Sequence, residues 1–401
     1  MLAPKIRFPA FNDEYISETL SDISDRIRRK NSNNQTDIPL TIASIEGLVD
    51  QRTYFGKTVA SKDMSGYYLL QNGEFAYNKS YSKGYPVGSI KRLDKYEQGA
   101  LSVLYICFAL KADADVTSDY LVQYFNSPAW YEAVNEVCAE GARNHGILNV
   151  SPDDFFATSH YFAPSKEEQN KVSTFLSLYD KKIKTQSEKI NALEERRKGI
   201  LQQIFSQELR FRDDNGEDFP EWDSVVMEDA FNSISDKNHP EKTVLTIIQG
   251  QGTIPRDESD RNISYNKASI PTYKLVQIND FIMHLRSFEG GLEIATREGI
   301  VSPAYTIMRN KINIIPQFYR YYFRSSSFIV DKLTGITEGI RDGRSINMDD
   351  FWLLEIPYPS IQEQKKIGQF LTLVDKQIRI EKEKIEAIKL IKKGLLQQMF
   401  V

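Results

Sequence analysis

Cysteine is almost missing from this 401-residue chain: Cys107 and Cys138 are the two present. They match no metal-ligand spacing and read as buried, reduced thiols, so a disulfide scaffold and a zinc ribbon are both excluded. Four scattered histidines are too few to build a His-rich metal site. No apolar run approaches the roughly 18 residues of a membrane span. The opening Met1-Leu-Ala-Pro-Lys-Ile-Arg-Phe8 has no signal-peptide core, so a cytoplasmic location without membrane contact is expected. Neither charge dominates. Fifty-one basic against 55 acidic residues leave a net charge of −4, which excludes a generic polycation that coats nucleic acid. What is present is 41% hydrophobic and 26% charged residues, the balance of a globular chain of two or three domains.

The charge is unevenly placed. Residues 1–163 and 206–358 are acidic (−4 and −7), whereas 164–205 and 359–401 are basic (+3 and +4). This alternation accompanies an internal repeat. Pro164-Ser-Lys-Glu-Glu-Gln169 through Lys198-Gly-Ile-Leu-Gln-Gln-Ile-Phe205 aligns without a gap on Pro359-Ser-Ile-Gln-Glu-Gln364 through Lys393-Gly-Leu-Leu-Gln-Gln-Met-Phe400. Of the 42 aligned positions, 21 are identical. Weaker echoes lie upstream. Asp119–Ser127 resembles Gln317–Ser325, Ser102–Phe108 resembles Ser302–Met308, Glu140-Gly-Ala-Arg143 resembles Glu338-Gly-Ile-Arg341, and Arg7-Phe8 matches Arg210-Phe211. Residues 30–95 and 236–295 show no match. The fold class is α+β: two related globular domains, 1–163 and 208–358, each followed by a long helix, 164–207 and 359–401. Ser102–Leu110 and Tyr305–Arg309 read as strands. Helices are expected near Ser118–Val137 and Gln317–Leu333.

In the repeats, Val172, Leu176, Tyr179, Ile183, Gln186, Ile190, Leu193, Arg197, Ile200 and Ile204 follow a 4-3-4-3 spacing. Ile367, Leu371, Val374, Ile378, Glu381, Ile385, Ile388, Lys392, Leu395 and Met399 repeat it. That heptad seam predicts a coiled coil rather than an amphipathic helix lying on a core. Its polar slots select the pairing. A parallel pair in register would set Arg197 against Lys392. An antiparallel pair whose facing numbers sum to 578 sets Arg197 against Glu381 and Gln186 against Lys392, and within the overlap gives every apolar position an apolar partner. The expectation is therefore an antiparallel, intrachain coiled coil with a globular domain at each end of a rod about 50 Å long.

Catalytic signatures do not appear. A methyltransferase's Asn-Pro-Pro-aromatic loop and Gly-rich cofactor turn are missing, as is a Gly-x-Ser-x-Gly elbow. Gly56-Lys57-Thr58 lacks the upstream glycine of a phosphate loop, and Gly250-Gln-Gly252 reads as a simple turn. Pro152-Asp153 with Asp180-Lys-Lys182 is a poor nuclease match, because Asp180 flanks a coil seam. Binding chemistry remains. Tyr77, Lys79, Ser80, Tyr81 and Lys83 interleave aromatic, hydroxyl and cationic groups in a Gly-marked loop suited to phosphates and base edges. Arg143-Asn144-His145 and Arg341-Asp-Gly-Arg344 stand at equivalent places in the two halves, and Arg286-Ser287 lies in the second domain's version of the Tyr77 loop. The competing reading for each is a solvated loop. Coil-pairing candidates are Gln186, Arg197, Glu381 and Lys392.

The twice-present Pro-Ser-x-x-Glu-Gln opening, Phe-Leu-x-Leu-x-Asp helix and Lys-Gly-x-Leu-Gln-Gln-x-Phe close resemble the specificity subunit of Type I restriction–modification systems. The run Tyr77–Pro86 looks like one of that family's target-recognition motifs. The resemblance implies a non-catalytic, sequence-specific DNA-binding subunit. Two target recognition domains each read half of a bipartite site in double-stranded DNA, and the helices set the spacer and dock two modification (methyltransferase) subunits. It implies no cofactor in this chain. S-adenosylmethionine would belong to the modification subunits, and ATP and Mg²⁺ to restriction subunits of the full complex. The acidic domains then imply modest intrinsic DNA affinity, with partners supplying phosphate contacts. The alternative is a protein–protein scaffold carrying two globular domains on a rod.

Overall fold

The computed structural model describes residues 3–43, 46–57, 59–82, 84–138, 147–259, 267–284, 290–339 and 345–401. It is α+β, with a central helix at Lys166–Phe205 and a C-terminal helix at Ile361–Gln398. Two compact units emerge, and each takes one domain plus a segment of both helices. The first is Met1–Ser187 with Lys384–Val401, the second Glu188–Glu383. Among the described residues no helix is long and apolar enough to cross a membrane.

The first unit contains β1 (Ile16–Thr19), β2 (Ser24–Arg26), β3 (Leu40–Ala43), β4 (Gly47–Asp50), β5 (Tyr68–Gln71), β6 (Phe75–Asn78), β7 (Ser89–Arg92), β8 (Gln98–Leu101), β9 (Ile106–Leu110) and β10 (Ser159–Phe162). An antiparallel sheet in the order β2-β9-β6-β7 is its centre. Side chains alternate across it, as a strand requires. Phe75, Tyr77, Ile90 and Phe108 face one core. Helix Ser118–Asn126 covers that core with Tyr120, Leu121, Tyr124 and Phe125, joined by Val172 and Leu176 of the central helix and Met399 and Phe400 at the C-terminus. Ala76 and Cys107 face a second core with Leu40, Ile42, Leu48, Leu70 and Leu101 from the β3–β4 and β5–β8 pairs. Both cysteines are free. Cys107 is buried as expected, but Cys138 is only half-buried.

The second unit contains β11 (Asp223–Val226), β12 (Phe231–Ile234), β13 (Leu245–Ile248), β14 (Gly252–Pro255), β15 (Lys274–Val276), β16 (Phe281–His284), β17 (Glu293–Ile294), β18 (Gly299–Val301), β19 (Tyr305–Asn310), β20 (Thr337–Glu338), β21 (Ser345–Ile346) and β22 (Glu355–Tyr358). Its central sheet runs β12-β19-β16-β17, and β13–β14 and β15–β18 pair beside it. This is the first unit's pairing scheme again, including the stretch with no sequence match. Registers align the two. Phe75 faces Arg92 and Phe108, and Phe281 faces Ile294 and Met308, so Lys91 and Glu293 occupy equivalent positions.

The expected long helix over Ser118–Val137 is two helices, Ser118–Asn126 and Tyr131–Val137, because Pro128 cannot continue the first. Its counterpart also breaks, after Pro316–Tyr322. There Ser325 turns its hydroxyl back to the Tyr322 carbonyl and accepts the Phe328 N–H.

The helix repeat has a physical cause at its start. Ser165 and Ser360 cap the two helices by accepting the N–H of Glu168 and Glu363. Glu168 is fully buried and accepts both prongs of Arg7 at 2.7 and 2.8 Å, and Glu363, equally buried, takes Arg210. Gln169 accepts the Thr117 N–H and donates to the Ala163 carbonyl. Gln364 accepts the Ile315 N–H and donates to Pro359. Each helix is thus pinned to the N-terminus of its domain's own aromatic-rich helix.

Every predicted seam position is buried or half-buried, while nearly all intervening positions between Tyr179 and Ile200 are exposed. Within the second unit the helices run antiparallel, joined by Lys189–Glu381 at 3.0 Å, Lys382–Glu194 at 2.6 Å and Arg197–Asp375. The predicted register is corrected here. Arg197 pairs with Asp375 instead of Glu381, and Lys392 in the first unit pairs with Asp180 instead of Gln186. Each partner lies nearly one heptad from the one derived by matching seam to seam. Each of these cations, Lys392 buried and Arg197 half-buried, reaches a half-exposed carboxylate on the flank of the seam, which supplies the counter-charge that its desolvation requires.

Candidate nucleic-acid interface

The loop after β6 is built by a close backbone approach. Gly88 has φ +81°, and a Cβ there would sit 2.1 Å from the Asn78 carbonyl oxygen. Glycine alone fits, and the chain turns back tightly into β7. Tyr77 does not belong to the exposed face of this loop, contrary to the sequence expectation. It is wholly buried and donates its hydroxyl to the Val87 carbonyl at 2.7 Å. Its ring stacks on Phe155 at 4.8 Å and meets Trp130 edge-on. Burial also pushes its hydroxyl pKa well up. The strand period places it on the core side, which the tyrosine-rich composition of the loop concealed.

Beyond it the chain emerges. Lys79 is half-buried and donates through Nζ to the Val150 carbonyl at 3.3 Å, while its own carbonyl accepts the Leu148 N–H. Ser80 is exposed and bridges to Ile147, and Tyr81 is 39% exposed. The segment 147–150, with its isolated bridge at Ile147, comes just after Arg143, Asn144 and His145 in sequence. Those three and Lys83 lie outside the described residues. The structure therefore brings the flanks of two candidate loops, distant in sequence, side by side in the first domain.

In the second domain Arg286, Ser287, Arg341 and Arg344 all lie outside the described residues. Their supports are visible. β16 ends at His284, whose ring meets Tyr305 at 5.4 Å. β20 and β21 pair across the segment that holds Arg341 and Arg344. Asn347 then caps the helix Met348–Trp352 and donates to Glu338 at 2.7 Å.

Two features escaped the sequence. Lys91 donates to Asn126 at 2.6 Å. Burial lowers its pKa to about 8, with Lys392 adding to the drop and Asp180 opposing it. At the equivalent place in the second domain stands Glu293, 5% exposed, beside Arg324 at 3.1 Å. Burial raises the Glu293 pKa against the pull of Arg324 and Arg320. No periodicity or motif marks either residue. Among the described residues no group of three or more His, Cys, Asp or Glu side chains is placed to hold a metal ion.

Residues 300–390 match the Type I restriction modification DNA specificity domain. Two proteins of Methanocaldococcus jannaschii are similar to the chain. One is the putative type I restriction enzyme MjaX specificity subunit, 23% identical over 246 residues that cover 58% of this chain and 56% of that protein. The other is the type I restriction enzyme MjaVIII specificity subunit, 26% identical over 206 residues that cover 50% and 47%. The chain spans about half the length of the curated relatives it matches. Among solved structures, the type I restriction–modification S subunit from M. genitalium superposes with TM-score 0.54 at 13% identity, over 100% of this chain and 99% of that one. A chain from a study of complex assembly and conformational transition of the type I system gives 0.58 at 15% identity, over 96% and 97%. In sequence the chain resembles type I specificity subunits, and it shares the fold of the solved S subunit.

Proposed function

We propose that this chain is the sequence-specific DNA-binding subunit of a Type I restriction–modification complex. Each domain reads one half of a bipartite site, the helices set the spacer, and catalysis and its cofactors belong to partner subunits. The observation that carries the reading is one strand-pairing scheme built twice, with unlike loops, on two closely similar helices. A shared frame with divergent loops is what two different half-sites demand, since base readout depends on which side chains the loops present.

A second duplication supports two copies of one modification subunit. Phe8 packs edge-on to Phe175 at 5.7 Å beside Leu178, which is 55% exposed. Phe211 packs on Phe370 at 5.2 Å beside Leu373, 64% exposed. Exposed apolar patches of this kind mark docking surfaces, and an identical pair suits a partner present twice. The restriction subunits join through that assembly. Mapping methylated adenines in cells that express the chain with its modification subunit tests the reading. A single bipartite motif is expected, and its two halves should follow the two domains when they are exchanged. Methylation without a bipartite motif, or none that depends on this chain, would leave the scaffold reading standing.

A further inference from the structure

In the first hairpin of each domain three residues separate the last paired positions of the two strands. Ile248 faces Gly252 across Gln249-Gly250-Gln251, and Ala43 faces Gly47 across Ser44-Ile45-Glu46. The two closing glycines have the same left-handed backbone, φ +88° and +82°. The third residue of each turn, Gln251 and Glu46, is exposed. Neither side chain has a hydrogen-bond partner among the described residues.

In the second domain this turn is held with unusual effort. The Gly250 N–H donates to Glu293 at 2.7 Å, and the Gly250 carbonyl accepts from Arg320 at 3.3 Å. Gly250 has φ +85°, and a Cβ there would press on Arg324. The holding groups are costly. Among the described residues, one oxygen of the buried Glu293 carboxylate and the Nε of Arg320 have no hydrogen-bond partner, and the Nε of Arg324 meets Glu293 only as an ion pair at 3.1 Å. A turn that only joined two strands would gain nothing from a buried, partly unsatisfied charge cluster. Gln249 lies against Gly290, where a Cβ would meet its Nε2 at 2.6 Å. The turn is therefore next to the end of the segment that carries Arg286 and Ser287.

We propose that the third residue of this turn is a base-reading position in both domains, Gln251 reading adenine and Glu46 reading cytosine in their respective half-sites. A glutamine amide matches the N7 acceptor and N6 donor of adenine, and a glutamate accepts from the N4 amino group of cytosine. The rigid support keeps the side chain of Gln251 presented without a local partner, which is how a specificity contact is pre-organised. This inference rests on the DNA-reading function above and names a determinant within it.

The test uses the full chain assembled with its modification subunit. Binding is measured by gel shift on duplexes that carry the mapped site and every single-base variant of each half-site. Gln251→Glu should move the preferred base from A to C at one position of the second half-site only. Glu46→Gln should do the reverse at one position of the first. Gln251→Ala should lose about tenfold or more of the discrimination at that position. Thermal unfolding of each variant checks that these surface changes leave the fold intact. Unchanged preferences at all positions, or a loss of affinity uniform over all sequences, overturn the inference. A wild-type assembly with no sequence preference at all instead overturns the functional reading beneath it.

Discussion

Arg7→Met offers a direct measure of what pins the first domain to its helix. Glu168 has a side chain 1% exposed and Arg7 one 12% exposed, joined by a two-pronged bond of 2.7 and 2.8 Å. Removing the guanidinium strands a buried carboxylate, which costs about 3–5 kcal/mol. For a folding unit of some two hundred residues that is a fall of roughly 6–20 °C in Tm. The double change Arg7→Met with Glu168→Met removes both charges and should cost far less than either alone, because no unpaired charge remains. The second domain should behave differently. Arg210 also donates to the carbonyls of Phe219 and Pro220 and to Glu221, so Arg210→Met takes the donor from four acceptors and Glu363→Met leaves the arginine with three partners. Glu363→Met should therefore cost less than Glu168→Met. Circular dichroism melts of the full chain, with urea titrations to fix free energies, supply the cycle. An Arg7→Met cost below about 1 kcal/mol, or a double variant no better than the worse single one, would refute the buried-pair argument.

His160 is 1% exposed, bonded to Tyr124 and Thr158, and burial lowers its pKa to about 4. The unfolded chain binds the proton first, so stability present above pH ~6.5 is lost as pH falls toward 4. The loss is about 3 kcal/mol, and urea titrations of His160→Phe should show it removed. Gly88→Ala places a Cβ 2.1 Å from the Asn78 oxygen, whereas Gly47→Ala at a similar φ meets nothing within 4 Å. Melts should show a much larger loss for the first than the ~1 kcal/mol of backbone strain expected for the second. Asp375→Arg sets two cations together and strands the Tyr321 hydroxyl bond to Asp375. Adding Arg197→Asp should recover most of the loss, with a coupling of about 0.5–1 kcal/mol for so exposed a pair in a double-mutant melt series.

The helices were legible in the sequence because a seam of 3.5-residue period leaves few alternatives. Its burial follows the predicted positions one by one. Register was not legible, since flank carboxylates such as Asp375 and Asp180 compete with seam ones for a long cation, and heptad logic counts only the seam. The shared strand scheme across 30–95 and 236–295 was also hidden. Equivalent positions hold residues as unlike as Lys91 and Glu293, and sheet pairing depends on backbone and on which face is apolar rather than on residue identity. Tyr77 was misplaced for a related reason. Its loop composition suggested exposure, and its strand phase decided burial. Gly250-Gln-Gly252 read as a simple turn because the charges that hold it come from Glu293 and Arg320, distant in sequence.

The pattern of identity within the helix repeat follows from how the units are divided. Each helix supplies its first segment to one unit and its last to the other. A residue near the start must fit the same socket in both units, and so must one near the end. Glu168 and Glu363 meet Arg7 and Arg210, Phe175 and Phe370 meet Phe8 and Phe211, and Asp180 and Asp375 meet the cations Lys392 and Arg197. Of these the carboxylates and phenylalanines are identical between the copies, and the cations differ only as lysine and arginine. Between Thr185 and Arg197 the copies part more often, although Glu188-Lys-Ile190 and Ala192 recur as Glu383-Lys-Ile385 and Ala387. Thr185 stands opposite Ile380 in the repeat alignment, Ser187 opposite Lys382, and Glu195 opposite Leu390, all exposed. Docking sockets rather than the coil alone therefore hold the two copies alike, because a seam by itself would accept any apolar residue of similar volume.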